Sequence, residues 1–268
     1  MSGNSEFQPL PLIMVAPNGA TKTKADHPAV PMNIAETVEA AQACLKAGAG
    51  CLHAHVRDEK GDHVLNADLY KALLAELAAK VPGIKVQITT EAVGRYSPEE
   101  QRTLVRDVQP AAVSIAIREM VPDGEFEDAR AFYAWAFARK ITVQHILYDT
   151  QDLERFFALV DAGVVPAKQH QLLFVLGRYA TDDESGPEDL EPFLATMAKG
   201  RGDLSLDWAV CAFGHRETEC LVTAIGKGGK ARIGFENGLW NRDGSLAKDN
   251  ADRVQDLVMA LKEQGLHT

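Results

Sequence analysis

The chain has 268 residues, 46% hydrophobic and 25% charged, with 28 basic against 38 acidic side chains and a formal charge of −10. This is a globular composition, and its acidity argues against nucleic acid or an anionic membrane as the main partner while leaving room for a local basic pocket. The four cysteines (Cys44, Cys51, Cys211, Cys220) show no CxxC and no disulfide framework, which points to a reducing, cytoplasmic compartment; no apolar run reaches a membrane span, and no signal-like segment opens the chain.

Residues 1–9 read as a polar lead-in and 10–268 as one domain. An apolar run at 12–17 closes on Pro17-Asn18-Gly19, a strand ending in a turn. Asn33 caps an alanine-rich helix over 34–47 that Gly48 ends. A second strand begins at Cys51, followed by a helix over 66–80 that stops at Pro82-Gly83. A third strand over 85–90 leads to Ser97, Pro98 and Glu100, a capping box with proline at the first helical position.

The remaining strands are expected at 111–117, 141–147, 171–176, 208–213 and 231–235. Between and after them, helices are expected at 126–139, 152–162, from Pro187, at 217–225 and at 248–263. Eight strands alternating with eight helices, in units of roughly thirty residues, demand parallel strands with crossover helices. The reading is an α/β protein, a (β/α)8 TIM barrel in one domain; an open doubly wound sheet is the competitor, but no GxGxxG follows the first strand.

The chemistry concentrates at 51–58, Cys-Leu-His-Ala-His-Val-Arg-Asp. On a strand, residues two apart share a face, so His53, His55 and Arg57 form one row and Leu52, Ala54 and Val56 pack the other. Two imidazoles at the end of a buried strand suit a metal, with two hydrogen-bonded histidines as the bland alternative.

Barrel active sites lie at the C-terminal strand ends. Polar groups expected there include Asn18, Thr89, Glu91, Ser114, Arg118, Glu119, His145, Arg178, His215, Arg232, Glu236 and Asn237. Strand eight closes beside strand one, so Glu236 faces the two histidines across the mouth. His53, His55 and Glu236 make a His2Glu set that suits Zn2+ with positions left open; the alternative is that Glu236 pairs with Arg232 or Arg57. His27 and His63, in polar loops, are expected to be solvated, and His145 to pack in the core.

The chain resembles the β-keto acid cleavage enzymes, the family that includes 3-keto-5-aminohexanoate cleavage enzyme. The matching pieces are Ala16-Pro17-Asn18-Gly19-Ala20, His53-Ala54-His55-Val56-Arg57-Asp58, Gln87-Ile88-Thr89-Thr90 and the segment 228–237 with its Arg232-x-Gly234-x-Glu236 core. Asp243-Gly244 and Asp249-Asn250-Ala251 extend the match, which covers about 12–258. The resemblance implies a zinc barrel that condenses a β-keto acid with acetyl-CoA, giving acetoacetate and a new acyl-CoA. It implies His53, His55 and Glu236 as ligands, Arg232 as the catalytic arginine, Thr89 and Ser114 as hydroxyls near the substrate, and a homo-oligomer, a tetramer in the family.

Two positions depart from the family pattern. Asn237 stands where an acid–base aspartate often follows the ligand glutamate, which leaves Glu91 or Glu119 to move the proton. Thr21 stands where the amino-keto-acid-specific member has glutamate, so a substrate without that amine is expected. Lys22, Lys24, Arg178 and Arg216 are the basic groups available to CoA phosphates, and Asn18 and Arg57 are assigned to substrate binding. The alternatives are a divalent-metal aldolase or lyase that needs no CoA, and a non-catalytic metal- or metabolite-binding barrel.

Overall fold

The computed structural model describes residues 9–122, 124, 126–167, 170–177, 184–200 and 204–266. Eight strands pair in sequence order, all parallel, and close into a barrel: β1 (Ile13–Val15), β2 (Cys51–Ala54), β3 (Lys85–Thr89), β4 (Ala112–Ala116), β5 (Thr142–Leu147), β6 (His170–Leu176), β7 (Leu206–Ala212) and β8 (Lys230–Ile233). The closing pair matches Ile13 with Ala231, Met14 with Arg232 and Val15 with Ile233.

Alternate residues of each strand divide into two apolar layers, as the pleat requires. Ile13, Leu52, Ile88, Val113, Leu172 and Val210 face outward and pack against the helices. Met14, Cys51, Ile146, Leu173, Ala209 and Cys211 fill the barrel interior, and Leu10 plugs its floor through a backbone N–H to Asp207 Oδ2 at 2.7 Å.

Around the barrel run α1 (Ile34–Ala47), α2 (Ala67–Lys80), α3 (Pro98–Val108), α4 (Ile117–Met120), α5 (Phe126–Ala138), α6 (Thr150–Asp161), α7 (Glu191–Lys199), α8 (Glu217–Gly226) and α9 (Asn250–Glu263). Side chains set their starts: Asn33 caps α1, Ser97 and Glu100 form the capping box of α3, and Asp149 and Asp249 cap α6 and α9.

Three details differ from the sequence reading. The chain turns into α4 at Ile117, so β4 ends at Ala116 and Arg118 and Glu119 ride on a helical turn rather than a strand end. The segment from Pro187 is a 3-10 turn to Leu190 before α7 begins. The α6 helix starts at Thr150, ahead of the expected 152, because Asp149 accepts the Asp152 N–H. Among the described residues no helix is long and apolar enough to cross a membrane.

Candidate metal centre and active site

His53 lies on β2, and His55 follows one turn of the pleat later, both essentially buried. Glu236 arrives from the other side of the seam. Beyond β1 and β8 the chains stay paired, with Ala16 N–H donating to Ile233 O (2.8 Å) and Glu236 N–H to Ala16 O (3.1 Å). Gly19, at φ +58°, lets the first turn lie against the carboxylate arm: a Cβ there would sit 2.5 Å from Glu236 Cγ. The three side chains meet, their ligand atoms all within 4.8 Å of one another.

The proton on each imidazole follows from its partners. Leu172 O can only accept, so Gln144 turns its Nε2 to it (3.4 Å) and offers Oε1 to Gln87 Nε2 (3.0 Å). Gln87 therefore presents its own Oε1 to His53 Nδ1 at 2.9 Å, and that nitrogen donates. On the other ring, His63 Nε2 donates to Glu91 O at 2.9 Å, which leaves His63 Nδ1 to accept from His55 Nδ1 at 3.4 Å.

All three rings are held neutral. Burial, reinforced by Arg232, lowers His53 to about 4; burial drives His55 well below the ordinary histidine value and lowers His63 to about 4. Both ligand histidines thus carry their lone pairs on Nε2, and those atoms stand 3.1 Å apart. Glu236 Oε2 lies 3.7 Å from one and 3.5 Å from the other, buried and without a donor. Burial works to raise the Glu236 carboxyl, but the Arg232 guanidinium beside it holds it well below the usual carboxylate range. Two lone pairs and an anionic oxygen aimed at one point repel each other unless a cation sits among them, so the donor set fits a metal ion.

The arginine alternative is also realised, on the other oxygen. Arg232 Nη2 donates to Glu236 Oε1 at 2.9 Å and to Cys211 Sγ at 3.3 Å. Its Nε and Nη1 are buried with no partner, leaving two donors for a ligand. Ser114 Oγ, Asn18 Oδ1 and both polar atoms of Asn237 are likewise buried and unpartnered. Thr89 pairs in register with Ser114, and its Oγ1 accepts the Glu91 N–H at 3.1 Å, which leaves the hydroxyl proton to donate.

The two acids expected to move a proton differ in place. Glu91 Oε2 is 3.9 Å from His55 Nε2, with the side chain 15% exposed. Glu119 accepts the Ala92 N–H at 3.0 Å and so braces the loop that carries Glu91. Arg57 shares the histidine row as expected, but its guanidinium reaches the carbonyls of Asn18, Gly19, Ala20 (2.5 Å) and Lys22 (3.1 Å). Those donors brace the loop after β1, and that is the physical reason the fork does not lie open at the mouth.

Other expected residues fall outside the centre. His27 and His63 are buried, at 5% and 2% exposure, correcting the solvated reading. His27 packs on Phe235, and its Nδ1 accepts the Ala29 N–H. His145 packs outward among Tyr133, Phe156 and His170. Arg118 pairs with Asp149 and Asp152, Lys24 with Glu36, and Arg216 with Glu188 and Glu219, while His215 stacks on Trp240. Arg178 lies outside the described residues.

The sequence reading missed a layer behind the ligands. Asn250 accepts the Phe235 N–H (2.9 Å) and donates to Pro17 O (3.1 Å), stitching strand ends one and eight. Glu217, fully buried, accepts the Gly234 N–H at 3.2 Å and an Arg253 guanidinium at 2.8 Å. The available signals were Gln87 and Gln144 at interior positions of buried strands, and Asn250 inside the C-terminal motif.

A profile of the β-keto acid cleavage enzymes matches residues 11–268. The chain belongs to the β-keto acid cleavage enzyme family. It is 25% identical over 260 residues to the 3-keto-5-aminohexanoate cleavage enzyme of Fusobacterium nucleatum, covering 95% of this chain and 92% of that one. It is 25% identical over 264 residues to the 3-oxoadipate:acetyl-CoA acetyltransferase of Cupriavidus necator, covering 95% and 89%. Among solved structures, a ternary complex of ObcA with a C4-CoA adduct and oxalate superposes with a TM-score of 0.71 at 17% identity. That likeness covers 91% of this chain and 66% of the ObcA chain, and it is one of fold.

Proposed function

We propose that this family member is a zinc-dependent enzyme that exchanges acyl groups between a β-keto acid and acetyl-CoA. R–CO–CH2–COO⁻ and CH3–CO–SCoA give CH3–CO–CH2–COO⁻ (acetoacetate) and R–CO–SCoA. The observation that carries this reading is the pair of Nε2 lone pairs facing each other 3.1 Å apart beside Glu236, within a chain matched to the family over its length. Relatives named as acetyl-CoA transferases from Cupriavidus necator and Paraburkholderia graminis support acetyl-CoA as the second substrate.

His53, His55 and Glu236 would hold the ion, which when bound polarises the keto group and neutralises charge growing on its oxygen. The remaining work falls to side chains. Arg232 points its unpartnered Nε and Nη1 into the barrel and binds a carboxylate or developing oxyanion; its contact with Glu236 Oε1 keeps that carboxylate turned so that Oε2 faces the imidazoles. Ser114 and Thr89, side by side on β4 and β3, supply hydroxyls to the substrate, and Asn18 its free carbonyl oxygen.

A proton must leave the carbon between ketone and carboxylate. Asn237 cannot take it, so Glu91, whose Oε2 lies 3.9 Å from His55 Nε2, is assigned as the base and Glu119 as its brace. The four free, buried thiols fit a cytoplasmic setting, and a homo-oligomer is the expected assembly.

The test incubates the purified protein with a panel of β-keto acids, 3-oxoadipate among them, with and without acetyl-CoA, and follows acetoacetate. Turnover is expected only with acetyl-CoA, and His53→Ala should abolish it together with bound zinc. Product formed without CoA would refute the reading in favour of a lyase.

A further inference from the structure

The loop after β2 does more than connect. Asp58 N–H donates to Asp62 O and Gly61 N–H to Asp58 O, while Asp58 Oδ1 accepts from the Lys60 and Asp62 N–H groups. This tight turn folds the chain back so that Arg57 and His63 form an antiparallel bridge and Val64 N–H reaches Val56 O. The fold-back delivers a third imidazole, 2% exposed, against the rear of His55, with ring centroids 5.0 Å apart. An Arg95 guanidinium N–H on the His63 carbonyl ties down the backbone there.

We infer that His63 is a positioning residue that fixes the tautomer and orientation of His55 and couples it to the segment bearing Glu91. The inference rests on the metal-centre reading above. Glu91 O has no proton, so the His63 Nε2 contact at 2.9 Å requires N–H on that nitrogen. A neutral ring then has only a lone pair on Nδ1, and the 3.4 Å contact to His55 Nδ1 requires the proton on His55. His55 is left with its lone pair on Nε2, the atom facing His53 and Glu236. Gln87 imposes the same result on His53 through an amide. Without His63, His55 is free to rotate or to place its proton on Nε2, where it repels a cation.

The two sides of the His63 ring are separable by substitution. Asparagine places an amide oxygen near the Nδ1 position, keeping an acceptor for His55. Glutamine reaches the Nε2 position, keeping a donor for Glu91 O but offering His55 nothing at the right place. Zn2+ affinity by chelator competition and the Co2+ absorption spectrum are to be measured for the wild type, His63→Ala, His63→Gln and His63→Asn. The expected result is a ten- to hundredfold loss of affinity for His63→Ala and His63→Gln, the usual effect of removing a ligand's outer partner, with His63→Asn restoring most of it and the wild-type Co2+ spectrum.

Equal affinity in wild type and His63→Gln, or a His63→Asn protein as weak as His63→Ala, would overturn the inference. Imidazole 15N spectra of the metal-free wild type supply a readout that depends on neither metal nor variant folding. They should show N–H on Nδ1 of His55 and on Nε2 of His63, and the opposite tautomer on either ring refutes the relay. A wild-type protein that binds no Zn2+ would instead refute the metal-centre reading, and the 15N spectra would still decide the relay.

Discussion

Replacing Arg253 by methionine tests whether the buried layer behind the candidate metal centre is energetically what its geometry implies. Arg253 and Glu217 are both fully buried and joined at 2.8 Å. Arg253 also donates to Thr218 Oγ1 (3.1 Å), Asn241 Oδ1 (3.2 Å) and Asp256 Oδ2 (3.1 Å). Burial already pushes the Glu217 carboxyl up to about 7, with Arg253 and the Gly234 N–H pulling it back. Methionine fills similar volume but strands Glu217 without a counter-charge, a change that costs roughly 3–5 kcal/mol. At about 2–4 °C per kcal/mol for a chain of this size, the melting temperature should fall by roughly 6–20 °C.

The double variant Glu217→Gln with Arg253→Met removes the charge as well and should recover much of that loss, because the cost lies in the unpaired ion rather than in the missing bond. Glutamine retains an oxygen for Gly234 N–H, two residues before Glu236. Calorimetry at one fixed protein concentration, with and without saturating Zn2+, reads both effects. An Arg253→Met protein melting within a degree or two of wild type, or a double variant whose losses simply add, would refute the reasoning.

Acid should destabilise the fold through a pair of histidines remote from the site. Burial lowers His145 to about 3, helped by its neighbour His170, and lowers His170 to about 4. Above the ordinary value near 6.5 both are neutral folded or unfolded, so their stability contribution is complete; as pH falls from there towards 4, only the unfolded chain takes up protons, and each site costs about 2 kcal/mol by pH 5. His145→Leu should flatten the loss between pH 6.5 and 5 in urea melts, and an unchanged slope would sink the assignment. Gly19→Ala should weaken Zn2+ binding as well as stability, since its Cβ would meet Glu236 Cγ at 2.5 Å. Gly244→Ala is the control, because φ is +83° there but the space is open; it should carry only the left-handed backbone strain of roughly 1–2 kcal/mol and leave metal affinity intact.

The fold was legible because its signals are local and repeat: the Ser97–Glu100 box, Asn33, and the two-residue period that divides Leu52 and Ala54 from His53 all act within one element. The meeting of His53, His55 and Glu236 was legible for a topological reason, since closing an eight-strand barrel brings the end of β8 beside β1 and β2. What escaped depends on contacts between distant segments. His63 looks like a solvated loop residue until the turn at Asp58–Asp62 folds it onto His55. Arg57 has the right parity, yet a long side chain is not bound by its Cβ direction and reaches the loop carbonyls instead. Glu217 and Arg253 each resemble surface charges of an amphipathic helix; only the packing of α8 on α9 makes them a buried pair.

The cluster of unpartnered polar atoms at the barrel mouth argues for a ligand beyond a metal ion. Leaving a buried donor or acceptor unsatisfied costs about 1–3 kcal/mol; such atoms also occur away from the site, at Gln101, Tyr133 and His170 for instance, but one group gathers at the barrel mouth, on Asn18 after β1, Ser114 on β4, and Arg232, Glu236 and Asn237 around the end of β8. Their chemistry is complementary to a keto acid: guanidinium donors for a carboxylate, a hydroxyl and an amide for its oxygens, and one carboxylate oxygen for a cation. Asn237 fits the same account. An amide with both polar atoms unpaired can donate to one ligand atom and accept from another, so it orients where a carboxylate would titrate. In the reaction proposed above the proton then leaves through an acid on the β3 side of the imidazoles, where the chain supplies Glu91, held by Thr89 through its N–H and by His63 through its carbonyl.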